Sequence, residues 1–108
     1  MSASAKVVVS RERARQDIEA AIDFYLRQGA GTAALDFVEA IENAFGQISR
    51  QPGTGSPRYA HELSLPGLRS WRLSRFPYLV FYFERDASID VWRVLHGQRD
   101  IPAETIKP

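Results

Sequence analysis

The last third of the chain, from Pro66 to Pro102, most constrains the fold, because three short strand-like runs follow one another there. Leu68–Leu73 alternates loosely between apolar and polar residues, as a strand with one wet face does. Tyr78–Phe83 is apolar on both parities, which predicts a central strand covered at least partly on both faces. Ile89–Leu95 follows a turn-like stretch. Because the two connections are short, the three strands are predicted to form an antiparallel meander.

The first half of the chain predicts one strand followed by two helices. Lys6–Val9 is a short β-branched run, and Ser10 follows where a helix N-cap would stand. Two sets of apolar residues then recur at helical spacing. They are Ala14, Ile18, Ala21, Ile22, Tyr25 and Leu26 in the first helix, and Leu35, Val38, Ile41, Phe45 and Ile48 in the second. Gly29 and Gly31 break the pattern between them, Thr32 can cap the second helix, and so short a connection predicts an antiparallel helical hairpin.

These elements predict an α+β fold. An N-terminal strand precedes the helical hairpin and the three-stranded meander, and the hairpin packs on one face of the sheet. The opposite face is expected to be left for solvent or a partner, and the place of the first strand is open. The 108 residues are expected to form a single domain, residues 1–108, with residues 101–108 as a C-terminal tail. The stretch Gln51–Gly67 is rich in proline and glycine and is predicted to be a loop long enough to carry function.

Composition narrows the possible function classes. The formal net charge is only +1, so the whole molecule is not a polyelectrolyte that coats nucleic acid. The absence of cysteine excludes disulfides, thiol catalysis and thiolate zinc sites. His61 and His96 have no third ligand at metal spacing, so neither a metal nor another cofactor is expected. No run of 18 apolar residues is present, and we expect a cytoplasmic protein without a membrane partner.

Arginines are concentrated in the strand-forming third. They are Arg69, Arg72, Arg75, Arg85, Arg93 and Arg99. Guanidinium groups bind phosphates and carboxylates equally well, so the cluster is a candidate docking surface for nucleic acid or for an acidic protein segment. The alternative is that these arginines only solubilise the sheet.

His96 and the aromatic residues near it have two interpretations. A histidine at the end of the last strand can act as a general acid or base, or it can be a packed structural residue. Tyr78 and its neighbours can stack on bases, although aromatic residues on a central strand are more often core. Tyr82 in particular is predicted to be core or to support the site from behind.

Several segments together resemble the RelE/ParE toxin superfamily, and the ParE-like (plasmid stabilisation) branch most of all. The segments are Ala14 with Asp17-Ile18, Ile22 and Tyr25; Ala34, Phe37 and Ile41; Pro52-Gly-Thr-Gly; Pro66-Gly-Leu-Arg69; Phe76-Pro-Tyr-Leu-Val-Phe-Tyr82; and Arg93-Val-Leu-His-Gly-Gln-Arg-Asp-Ile-Pro102. The resemblance implies the toxin of a bacterial type II toxin–antitoxin system, a growth inhibitor neutralised by a cognate antitoxin in a hetero-oligomer. Such an antitoxin is a small DNA-binding protein whose C-terminal segment wraps the toxin. ParE-like toxins act on DNA gyrase, whereas RelE-like toxins cut ribosome-bound messenger RNA.

The chain departs from the ribonuclease pattern at two positions. Tyr78 stands where ribonuclease members usually place a basic residue, and Gly97 stands where several have a tyrosine. Metal-free RNA cleavage needs a base, an acid and cations around the phosphorane. Arg72, Arg93, His96 and Arg99 are the candidates for acid and cation, but no base is evident.

We therefore expect a gyrase-binding toxin rather than an enzyme. Its candidate contacts with target or antitoxin are Arg69, Arg72, Arg75, Tyr78, Arg93, His96 and Arg99. A ribosome-dependent mRNA endoribonuclease and an inactive module of the same fold are the alternatives.

Overall fold

The computed structural model describes residues 5–97, 101 and 103–108. Its elements are β1 (Val7–Ser10), α1 (Glu12–Arg27), α2 (Gly31–Arg50), a short 3₁₀ turn (Pro52–Thr54), α3 (Arg58–Glu62), β2 (Leu68–Arg72), β3 (Tyr78–Glu84), β4 (Ser88–His96) and α4 (Ala103–Ile106). The predicted α+β order of strand, helical hairpin and meander is confirmed. The loop expected after α2 contains the 3₁₀ turn and α3, which were not predicted.

One four-stranded sheet has the order β1-β4-β3-β2. β2, β3 and β4 form the expected antiparallel meander, whereas β1 pairs in parallel with β4, from Val7 opposite Ser88 to Ser10 opposite Val91. A parallel pair needs a long crossover, and the helical hairpin supplies it. The pairing of β1 with β4 ends at Val91, so no strand of the described residues lies beside the segment of β4 from Trp92 to His96 on that side.

The helical hairpin packs on one face of the sheet, as predicted. Most of its predicted apolar stripe meets the inward side chains of the strands in one core, whereas Leu26 and Leu35 of that stripe are exposed. The large buried members are Phe37, Ile48, Val80, Tyr82, Ile89 and Val91. The Tyr82 hydroxyl donates a hydrogen bond of 2.7 Å to the carbonyl of Pro52, so the one polar atom of this ring is satisfied. Tyr82 is therefore a core residue, as expected.

The second face of the sheet is also covered, which corrects the expectation that it is left for solvent or a partner. A second apolar cluster contains Leu68, Phe81, Phe83, Leu95, Ile101 and Ile106, with Tyr59, Leu63, Leu65 and Trp92 packed against it. α3 and the C-terminal segment supply the cover, and Ile106 is fully buried. The physical reason is that β3 carries apolar side chains on both of its faces, so the side chains on this face require burial as well. At the β1 corner of this face Val7 and Val9 stay exposed.

The helix ends differ in part from the predicted caps. α1 begins at Glu12 with Arg11 in the N-cap position, and Ser10 is instead the last residue of β1. α2 begins at Gly31, so Thr32 is inside the helix and not its cap. Gly29 ends α1 as predicted, because its φ of +71° is a conformation that glycine adopts without strain. In the described part of the chain, none of the helices has the length and hydropathy to cross a bilayer.

Candidate binding site at the distal end of the sheet

Three predicted site residues meet at one end of the sheet, which we call the distal end. Arg72 ends β2, Tyr78 begins β3 and His96 ends β4. The antiparallel register places Tyr78 directly opposite His96 and Arg72 opposite Leu79. The meander itself therefore brings together residues that are far apart in the sequence.

Tyr78 and His96 form a packed aromatic pair. Their ring centroids lie 5.3 Å apart in an edge-on arrangement, and the Tyr78 ring also packs edge-on against Phe37 at 5.2 Å. Burial raises the pKa of Tyr78, because desolvation disfavours the phenolate, and the charge interaction with Tyr25 raises it further. The phenol therefore stays protonated at neutral pH and can donate a hydrogen bond, but it does not act as a base.

A cavity of about 220 Å³ opens beside this pair, between α1 and the part of β4 beyond β1. Its lining residues are Asp17, Ala20, Ala21, Phe24, Tyr78, Val94, Leu95 and His96. Phe24 is half exposed at its rim, and Leu26 is exposed two residues further along α1. The distal end thus combines apolar surface with polar ring atoms. The sequence analysis did not single out Phe24, and the signal for its exposure was its position just off the apolar stripe of α1.

Arg93 is not part of an exposed basic surface, and that expectation is wrong. Its guanidinium pairs with the carboxylate of Asp17, with Nε–Oδ2 at 2.7 Å and Nη2–Oδ1 at 2.8 Å, and it also donates to the carbonyl of Thr105. The backbone N–H of Val94 donates to Asp17 at 3.0 Å. The hydrogen bond that Arg93 donates to Asp17 raises the pKa of Arg93. Because β1 does not reach this part of β4, Asp17 takes the place of a strand partner for Val94, and Arg93 joins α1, β4 and the C-terminal segment.

The remaining predicted arginines have different environments. Arg69 is partly buried and donates to the carbonyl of Gly55 at 2.7 Å, so it holds the loop after α2. Arg72 and Arg75 are exposed, and neither forms a hydrogen bond or ion pair with the described residues. Arg75 lies in the β2–β3 turn with a φ of +68°. Arg99 lies outside the described residues.

Arg72 separates two further cavities of about 250 Å³ each. One is lined by Ser56, Arg58, Tyr59, Ser70, Arg72, Leu79 and Gly97, and the other by residues of α2 together with Trp71, Arg72 and Ser74. In the first cavity the Arg58 guanidinium lies over the Tyr59 ring, 5.2 Å from its centroid. Arg58 was missed by the sequence-based prediction. The signal for it was its position in the loop after α2, which is long enough to carry function.

The chemistry that this end can perform is hydrogen bonding and charge pairing with an anionic or acidic partner. Arg72 and Arg75 have guanidinium N–H donors that form no hydrogen bond with the described residues, and the neutral Tyr78 phenol has an O–H that can donate one. Asp17 is the carboxylate that lines the His96 cavity, and its oxygens already accept three hydrogen bonds. No three metal-ligating side chains come together among residues 5–97, 101 and 103–108.

Comparison with known proteins agrees with this architecture. A family model described as ParE toxin of type II toxin-antitoxin system, parDE, matches residues 8–101. A solved structure titled "Chromosomal ParDE TA system from P. aeruginosa" is similar with a TM-score of 0.71 and 20% sequence identity, covering 87% of this chain and 98% of that one. A search of curated proteins found no match.

Proposed function

Because the chain belongs to the ParE toxin family of type II toxin–antitoxin systems, we propose that it arrests growth by binding DNA gyrase in the cytoplasm. A cognate antitoxin neutralises it in a hetero-oligomeric complex. The observation that supports the target-binding role is a pair of exposed arginines near the Tyr78–His96 ring pair, Arg72 and Arg75, neither of which has an ion-pair partner among the described residues. Cations that are not neutralised within the described chain suit an acidic patch on a partner protein.

The state of the groups around His96 favours binding over RNA cleavage. A ribonuclease at this position needs a base for the 2′-hydroxyl. Tyr78 is unsuited to that role because its pKa is raised, and Asp17 is unsuited because its carboxylate is bound by Arg93 and by the N–H of Val94. Arg93 is also unsuited to stabilise a phosphorane, since the same pairing turns its guanidinium inward.

The antitoxin is proposed to bind by packing apolar side chains into the groove between α1 and the distal half of β4. Phe24 and Leu26 are exposed apolar residues next to this groove. Strand addition at β2 is less favourable, because Ser56 and Ser70 already exchange two backbone hydrogen bonds of 2.9 Å at its outer edge. A helix with apolar residues at three- and four-residue spacing fits the groove better than an extended strand does.

Expression of the full chain without its antitoxin tests the proposal. We expect growth arrest with induction of the DNA-damage response, and inhibition of gyrase supercoiling by the purified protein. The double variant Arg72→Ala, Arg75→Ala should lose most of the inhibition, whereas Arg13→Ala, an exposed arginine at the other end of the molecule, should retain it. Rapid messenger loss with intact DNA, abolished by His96→Ala, would contradict the proposal and favour a ribosome-dependent nuclease. Normal growth with a folded, well-expressed chain would indicate an inactive module.

A further inference from the structure

A second basic cluster lies at the opposite end of the sheet from the distal site. Asp90 on β4 has a side chain only 10% exposed, and two arginines from different segments converge on its carboxylate. Arg11 donates through Nε at 2.8 Å and Nη2 at 3.0 Å, and Arg85 donates through Nε at 3.3 Å and Nη2 at 3.0 Å. The indole N–H of Trp92 adds a fifth contact at 3.2 Å. One buried carboxylate thus fixes the positions of two guanidinium groups.

The cluster carries an excess of positive charge that faces solvent. Two cations surround one anion, and the side chains of Arg11 and Arg85 are 48% and 49% exposed. The nearby Lys6–Glu84 pair is balanced, and Asp86 is an exposed carboxylate next to Arg85 in the β3–β4 turn, so the excess belongs to the three paired side chains themselves. The hydrogen bond from Arg11, more than any other contact, lowers the pKa of Asp90 to about 2, so the carboxylate remains ionised in the physiological range.

The two arginines are held in place and still have N–H groups available for hydrogen bonds with a partner. The Arg85 guanidinium lies over the Phe83 ring, 4.8 Å from the centroid, which restricts its motion. Among the described residues, no hydrogen bond uses the Nη1 groups of Arg11 and Arg85. A cavity of about 420 Å³ opens between them, lined by Val9, Arg11, Arg85, Ser88 and Asp90. A guanidinium that is fixed before binding loses less entropy when it pairs with an incoming anion.

Exposed apolar side chains continue the surface along β1. Val7 and Val9 are 67% and 50% exposed, and their two-residue spacing along β1 continues to Arg11, which follows the strand with an extended backbone. A nucleic acid phosphate would use the arginines but not the valines. An extended polypeptide would use both, because its alternate side chains repeat at the same spacing.

The backbone along the outer edge of β1 is partly engaged already. Ser49 bonds to both the N–H and the carbonyl of Lys6, and Arg15 donates to the carbonyl of Ser10. Few backbone N–H and C=O groups are therefore available here for pairing with a partner strand, and a partner must be recognised through side chains.

We infer that Arg11 and Arg85, held by Asp90, form a receptor for a carboxylate on an extended partner polypeptide whose apolar side chains pack on Val7 and Val9. The partner segment carries two apolar residues and one acidic residue on one face, at two-residue spacing. This inference goes beyond the proposed function, because it concerns a different end of the sheet and does not require gyrase as target.

The test is NMR titration of the isotope-labelled full chain with defined peptides. The probes are acetyl-Val-Ser-Val-Ser-Glu-amide and its reverse-order peptide, which cover both strand directions. We expect saturable shifts of the Arg11 and Arg85 Nε–H signals and of the Val7 and Val9 methyl signals. Replacing Glu by Gln in the peptide, or Arg85→Gln in the protein, should weaken binding roughly tenfold, the loss typical of one charge-assisted hydrogen bond. Arg27→Gln, at the far end of α1, should leave the affinity unchanged.

Two results would overturn the inference. The first is the absence of saturable shifts at these residues with either peptide order. The second is equal binding of inorganic phosphate and of a peptide with threonine in place of valine, since that describes a general anion site with no preference for a polypeptide. If Arg11→Gln lowers the melting temperature, Arg85→Gln and the double variant Val7→Thr, Val9→Thr decide the outcome, and both should weaken binding in a chain that melts like the wild type.

Discussion

The ion pair between Asp17 and Arg93 gives the sharpest stability prediction. The two side chains are 14% and 10% exposed, so the pair is nearly but not fully removed from water. Asp17→Asn would leave the Arg93 charge uncompensated and would weaken the acceptor of the Val94 N–H. Breaking a buried pair by removing one partner costs about 3–5 kcal/mol, and the residual exposure of this one places it toward the lower end, at roughly 3 kcal/mol. For a domain whose total stability is about 5–15 kcal/mol, that loss is large.

Urea unfolding followed by tryptophan fluorescence and circular dichroism measures the effect. Asp23→Asn is the matched control, since it is an exposed carboxylate on the same helix, and it should change the free energy of unfolding by less than about 0.5 kcal/mol. The double variant Asp17→Leu, Arg93→Met should lose less than either charge-removing single variant, because an apolar pair avoids the uncompensated charge. An Asp17→Asn protein as stable as the Asp23→Asn control would refute the assignment of Arg93 as a structural, inward-facing residue.

Two further predictions concern the loop after α2 and the Asp90 cluster. Gly55→Ala should destabilise the fold by roughly 1–3 kcal/mol, because a Cβ there would stand 2.1 Å from the Tyr82 hydroxyl. Gly53→Ala is the control, since a Cβ at that position meets nothing within 4 Å. Equal urea midpoints for the two variants would contradict the prediction. Asp90 has a folded-state pKa lowered to about 2, from 3.8, so its stabilising contribution is present above pH 4 and is lost as the pH falls through that interval. Asp90→Asn should therefore flatten the acid limb of the stability–pH profile between about pH 4 and 2, and a limb of unchanged slope would count against it.

The local pattern of the sequence predicted most of the secondary structure. The unbroken apolar run of β3 was enough to identify the central strand, and the spacing of Phe45 and Ile48 in α2 was enough to identify a helix. These signals are local, because the spacing of apolar residues within one short segment is enough to predict which of its side chains are buried. The caps were less predictable, because Ser10 has the right chemistry for an N-cap but is drawn into β1 by pairing with Val91.

Contacts between side chains that are far apart in the sequence could not be predicted from the local pattern. Asp17 and Arg93 lie on different elements, and their contact depends on β1 ending before β4 does. The cover of the second face was missed for a related reason. The apolar parity of β3 required some cover on that side, but nothing local indicated that α3 and Ile106 would provide it.

The covered second face changes where a partner can bind. A flat basic platform is ruled out for the part of the sheet beneath α3 and the C-terminal segment, because that part is packed with apolar side chains. The exposed arginines of the two candidate sites instead lie at separate ends of the sheet, with Arg72 and Arg75 at one end and Arg11 and Arg85 at the other. The proposed target contacts and the proposed antitoxin groove both lie at the distal end, so the end that contains Arg11 and Arg85 is separate from both. The relative loss of gyrase inhibition and of peptide binding in variants at the two ends measures whether the ends act independently.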